Sequence, residues 1–79
     1  MRNYPKNQRI EVDWVDIVQD PEWLEETKID NEVCPICQSV GYYYKHTKDF
    51  LYISSTISGS QRDITIIPMG CVKKIRSLR

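Results

Sequence analysis

Long apolar runs are missing from this chain: nothing in it approaches the roughly eighteen consecutive apolar residues that a membrane-crossing helix needs. Glycine is scarce, three in 79 residues, and none sits in a phosphate-cradling loop or a nucleophile elbow; no paired-carboxylate signature takes their place. Histidine occurs once, as His46, with no sequence signal for a nucleophile or an orienting carboxylate to work with it. These absences argue against an enzyme and call for no cofactor. The three cysteines cannot pair off completely, and the basic start Met1-Arg2-Asn3-Tyr4-Pro5-Lys6 is not followed by an apolar leader segment. The expected setting is a reduced cytoplasm.

What is present suffices for one small core. Hydrophobic residues make up 41% of the chain, with two Trp and five Tyr, which is too rich for a disordered segment. A chain of this length buries only about 60% of the surface its unfolded form exposes, so a second subunit is a natural source of extra stability, and a homo-oligomer is expected. The net charge of zero hides a division. Nine of the eleven acidic residues (Glu11, Asp13, Asp16, Asp20, Glu22, Glu25, Glu26, Asp30, Glu32) lie within 11–32, opposed there by Lys28. From Val33 onward Lys45, Lys48, Arg62, Lys73, Lys74, Arg76 and Arg79 face only Asp49 and Asp63. One part of the surface is expected to be acidic and another basic.

Residues 1–8 are polar and aperiodic and read as a flexible tail, leaving 9–79 as a single domain. Ile10, Val12 and Trp14 alternate with Arg9, Glu11 and Asp13, the period of a half-buried strand. Asp20-Pro21 predicts a helix N-cap and first position, with a helical turn over 21–28 in which Glu22, Glu25 and Glu26 meet the positive helix end. Asp16 and Trp23 read as a cap and an anchor for that turn. A second strand alternates Ile36, Val40, Tyr42 and Tyr44 with Cys37, Ser39, Gly41 and Tyr43, and Gly41 marks a bulge or bend. Thr47-Lys48-Asp49 turns into a strand over 50–57, and Ser58-Gly59-Ser60-Gln61 reads as a flexible loop. A fourth strand over 63–67 stops at Pro68, and Pro68-Met69-Gly70 forms a tight turn. For 71–78 the spacing of Val72, Ile75 and Leu78 leaves a fifth strand and a final helical turn both open. The fold class is mostly β: a small five-stranded Sm-like or SH3-like barrel with one short helical turn.

Val12-x-Trp14-x-Asp16 with Trp23, Pro35-x-Cys37-x-Ser39-Val40-Gly41, Ser54-Ser55-Thr56 and Ile67-Pro68-x-Gly70-x-Val72 together resemble a group of short phage and prophage proteins of about this length. The resemblance runs from Ile10 to Leu78 and implies an Sm-like or SH3-like barrel in a phage accessory protein made in the bacterial cytoplasm. It also implies a protein that counters host defence by sequestering a nucleotide signal or binding a host component. Cys34 and the 1–8 tail depart from the pattern.

For the site itself, Tyr42-Tyr43-Tyr44 must send at least one ring outside the core, and Tyr43 and Tyr44 are the stacking candidates. Arg62, Lys45 and Lys48 supply positive charge for a small anionic ligand, with Arg62 foremost because a guanidinium on a loop grips phosphate through two donors. Lys6, in the tail, is expected to contribute little. An Sm-like binder of single-stranded nucleic acid is the alternative, opposed by the zero net charge and the acidic 11–32 segment. A further alternative is a zinc-stabilised interaction module built on Cys34, Cys37, His46 and Cys71. The C-x-x-C spacing suits zinc, but Cys71 and His46 stand apart from any second C-x-x-C. Zinc is therefore not expected, and the cysteines read as small apolar residues.

Overall fold

The computed structural model describes residues 1–19 and 21–79. The predicted N-cap, Asp20, lies outside the described residues. Among the described residues seven strands form in chain order: β1 (Arg9–Val15), β2 (Ile36–His46), β3 (Phe50–Ser54), β4 (Ile57–Ser58), β5 (Gln61–Arg62), β6 (Thr65–Pro68) and β7 (Val72–Ser77). Five of them make one antiparallel sheet in the order β6-β3-β2-β1-β7, while β4 and β5 pair as a separate small hairpin. The segment left open between strand and helix is thus a strand, β7, paired to β1 through Ile10↔Ser77 and Val12↔Ile75.

The alternation in β1 works as the sequence suggests, with Ile10 and Val12 fully buried. In β2 the inward face is the other one. Gly41 and Tyr43 are buried, whereas Ile36 and Val40 are exposed. The reason lies opposite: Trp14 pairs with Cys37, and its indole Nε1 donates to Ser39 Oγ at 2.9 Å, so the bulk comes from β1 and only small side chains fit across from it. Trp14 is itself half-buried and flanks the core formed by Ile10, Val12, Tyr43, Leu51, Ile53 and Ile67 rather than filling it. Gly41 is required by close approach, since a Cβ there would lie 2.8 Å from the Ser54 carbonyl oxygen. The irregularity expected at Gly41 occurs two residues later, where the β2–β3 register shifts between Tyr43 and Lys45.

β6 and β7 are the two edges of the sheet. Laid flat, five strands at about 4.8 Å spacing would separate those edges by roughly 19 Å. Only a 3-10 turn, Met69–Cys71, joins Pro68 to Val72. That connection spans at most about 14 Å when fully extended, and less as a helical turn. The sheet is therefore strongly curled at this end, and Ile67 on β6 reaches the same core that Cys71, Val72 and Ile75 pack against. The ladder is nonetheless open, because β6 and β7 are not hydrogen-bonded neighbours. Pro68 ends β6 from within, on an edge where its missing N–H costs nothing.

Two stretches differ from the sequence reading. The helix is a single turn, α1 (Glu26–Ile29), with no buried residue, shorter than 21–28 because no apolar surface lies against it to hold further turns. Asn31 Nδ2 donates to the Thr27 carbonyl at 2.9 Å and closes its end. Trp23 is no anchor for it, being 102% exposed. The radius of gyration, 15.6 Å, exceeds the roughly 12 Å of a compact chain of this length. Residues 17–19 and 21–34 are exposed almost throughout and form an arm off the sheet, joined at its root by the Asp16 N–H donating to the Pro35 carbonyl at 3.0 Å. The other difference is at the start of the chain. Within the segment read as a tail, Tyr4 packs on Tyr43 with ring centres 5.6 Å apart, the Asn7 N–H donates to the Tyr43 carbonyl at 2.7 Å, and the Tyr43 N–H donates to the Gln8 carbonyl at 2.8 Å.

Charge is also less divided than the sequence suggests. Pairing β1 with β7 lays acid against base: Arg76 donates to both carboxylate oxygens of Asp13 at 3.1 and 2.7 Å and lies 3.3 Å from Glu11. The Arg76 hydrogen bond holds the Asp13 carboxyl below its ordinary value.

Candidate functional site

The excursion between β3 and β6 is a built loop. Gly59, at φ 59°, makes the turn between β4 and β5, a conformation that costs a side-chain-bearing residue energy and glycine none. Asp63 ties the loop at its base by accepting from the Ser55 N–H at 2.8 Å, the Thr56 N–H at 2.9 Å and the Ser55 hydroxyl. Those bonds, the Ser55 hydroxyl foremost, lower the Asp63 pKa. The ladder and the Asp63 clasp together hold Arg62 over β2. The segment expected to be a flexible loop is the element that positions the chief candidate residue.

Tyr44 receives it. The register shift in β2 falls between Tyr43 and Lys45, so Tyr44 is the extra residue of a bulge, the usual way of re-aiming a side chain at a sheet edge or site. The Arg62 guanidinium carbon lies 4.8 Å from the centre of the Tyr44 ring, and Lys6 Nζ lies 5.1 Å from the same centre. Arg62 Nη1 donates to Asn7 Oδ1 at 2.9 Å and is 3.5 Å from the hydroxyl of the buried Ser54. Asn7 adopts φ 71°, which asparagine tolerates better than most residues, and the Gln8 N–H donates back to the Pro5 carbonyl at 3.0 Å. This turn carries Lys6 and Asn7 to the site.

Lys6, Asn7, Tyr44, Gly59, Ser60, Arg62 and Ile64 enclose a cleft of about 540 Å³, within the size range of small-molecule sites. Its lining has two cations, amide and hydroxyl donors and a ring face, and among the described residues no acidic, histidine or cysteine side chain. Arg62 also borders a shallower depression with Thr56, Ser58, Gln61 and Asp63.

Of the five ligand-binding candidates, Arg62 and Tyr44 come together here. Tyr43 does not: it is 5% exposed, inside the core, and its hydroxyl lies 2.6 Å from His46 Nδ1. Lys45 sits over a different ring, 4.7 Å from the centre of Tyr52, and Lys48 is exposed in the turn between β2 and β3. Lys6 and Asn7 were missed because they were assigned to a tail, although Pro5 and Asn7 are turn residues and signalled a fixed bend. His46, the single histidine, is half-buried at the end of β2 against Tyr43.

The alternative zinc set is scattered: Cys34 is exposed on the arm, Cys37 lies on β2 and Cys71 in the 3-10 turn, all three unpaired. Among the described residues no three histidine, cysteine or acidic side chains gather where one metal ion would bind. No helix among them is long and apolar enough to cross a membrane. No family model, curated protein or solved structure matches the chain.

Proposed function

We propose that this chain is a non-enzymatic binding domain that holds a small anionic ligand of the nucleotide type in the cleft between Tyr44, Arg62 and Lys6. The observation that carries the reading is the Tyr44 ring approached by two cations, at 4.8 and 5.1 Å, at the mouth of a cleft that no carboxylate lines among the described residues. A planar base stacks on a phenol ring, and a phosphate takes the guanidinium fork and the ammonium. Asn7 and Ser60 offer the polar contacts that fix orientation. Sequestering such a ligand is the work of a phage accessory protein acting against a host signal, as the sequence resemblance implies. The curl of the five-stranded sheet and the 3-10 turn between its last two strands support assigning the domain to the Sm-like or SH3-like barrels.

A single-stranded nucleic acid is the second reading, favoured by one observation: Lys45 over Tyr52 repeats the cation-on-ring pairing on the neighbouring strand, with Phe50 6.5 Å from Tyr52. Calorimetry separates the two. Mono-, di- and cyclic nucleotides are expected to bind with a shallow dependence on salt, because few phosphates are neutralised. Binding of oligo-dT or oligo-U alone, falling steeply with salt, would replace the first reading with the second; no binding to either would sink both.

A further inference from the structure

The described residues of the arm, 17–19 and 21–34, carry large apolar side chains that are left exposed. Trp23 is 102% exposed, Ile17 80% and Val33 79%, and α1 buries no residue. Its charge is acidic, with Glu22, Glu25, Glu26, Asp30 and Glu32 against Lys28. At the root of the arm lies a second cleft of about 200 Å³, its lining including Trp14 and Ile17 on one side and Thr65, Ile66, Pro68 and Cys71 on the other. It is smaller than the roughly 300 Å³ at which drug-sized ligand sites begin, and suits one large side chain. Just beyond Cys71, which lines it, Lys73 and Lys74 are exposed at the start of β7.

We propose that the arm of one copy docks on a second copy of this chain, Trp23 entering the apolar cleft between β1 and β6 while the acidic side chains of the arm meet Lys73 and Lys74. The donor and the acceptor are both on this chain and complement each other in shape class and in charge. Trp23 is six residues from Ile17, which lines the cleft, a reach of at most about 22 Å. Two copies related by a twofold axis can therefore each give an arm and receive one, the isologous arrangement that closes on itself. A tryptophan centred in an apolar pocket with a charged rim is the usual makeup of an interaction hot spot. Among the described residues none lines both this cleft and the Tyr44 cleft, so the inference does not rest on the ligand reading.

The test is sedimentation velocity of the full chain from micromolar to hundreds of micromolar. The native protein is expected to dimerise, and Trp23→Ala to raise the dissociation constant at least about thirtyfold, the effect of losing a hot-spot side chain. Trp23 is outside the core, so circular dichroism of that variant should match the native protein. Ile66→Glu in the cleft is expected to weaken association similarly, with Thr65→Glu at the rim, where a negative charge repels the acidic arm, in its place should Ile66→Glu not fold. An equimolar mixture of the arm variant and the cleft variant should associate more tightly than either alone, because one intact arm meets one intact cleft. A native protein that stays monomeric throughout, a Trp23→Ala variant that dimerises normally, or a mixture no better than its components each overturns the proposal.

Discussion

Arg62 and Tyr44 are separated by eighteen positions and two strands, yet the guanidinium carbon of the one lies 4.8 Å from the ring centre of the other, with Arg62 Nη1 fixed on Asn7 at 2.9 Å. The contact exists because a bulge turns Tyr44 and a clasped hairpin turns Arg62. Replacing Arg62 by Ala should weaken nucleotide binding by about 1.5–3 kcal/mol, the scale of a charge-assisted hydrogen bond, and leave the unfolding midpoint nearly unchanged. Lys6→Ala should also weaken it, by about 0.5–1 kcal/mol as an exposed cation over a ring. Titration calorimetry on both variants checks this, and an unaltered affinity in Arg62→Ala would remove the cleft from consideration.

Tyr43 and Tyr44 are neighbours with opposite roles. Tyr43→Phe deletes the hydroxyl that meets His46 Nδ1 at 2.6 Å and should cost about 0.5–1.5 kcal/mol of stability while leaving ligand affinity as it was. Tyr44→Ala should do the reverse. Urea denaturation paired with calorimetry on the two variants reads both quantities.

Gly41 leaves no room for a methyl group, because the Ser54 carbonyl would lie 2.8 Å from it and a strand backbone does not yield as a flexible side chain does. Gly41→Ala should destabilise the domain by about 1–3 kcal/mol, measured by the shift in denaturant midpoint.

Two carboxylates have values depressed below the ordinary 3.8: Asp13 by its hydrogen bond to Arg76 and Asp63 by those from Ser55 and Thr56. A depressed folded-state value means that the stabilisation is complete above 3.8 and is lost as the pH falls through the lowered value. The melting temperature should therefore drop at acid pH. In Asp13→Asn and Asp63→Asn that drop should be smaller, starting from a lower plateau at neutral pH. Equal acid sensitivity in all three proteins would show that neither carboxylate contributes.

Strand existence was legible wherever a local pattern sufficed: Ile10 and Val12 alternate, and both are buried. Facing was not legible in β2. The sequence offers Ile36, Val40, Tyr42 and Tyr44 as the apolar set, but the cross-strand partner Trp14 occupies the space inside, and that information lies on another strand. Arg62 and Tyr44 could be named from residue type, since a loop arginine and an exposed phenol carry their own chemistry. Lys6 could not, because its position depends on where the turn at Asn7 docks, a tertiary fact. Trp23 misled for a related reason: tryptophan is a core residue by habit, and only the absence of neighbours shows otherwise.

The pairing of β1 with β7 has a kinetic side. Ile10 meets Ser77, the Leu78 N–H donates to the Arg9 carbonyl at 2.8 Å, and Gln8 Nε2 donates to the Leu78 carbonyl at 2.6 Å. β1, which leaves the ribosome well before β7, therefore waits for it before its second edge is covered. Topologies in which such distant segments must meet search slowly for their native state. Until β7 emerges, β1 presents an open ladder edge to any other chain nearby, so newly made copies crowded on one messenger are the setting in which this domain is most exposed to mispairing.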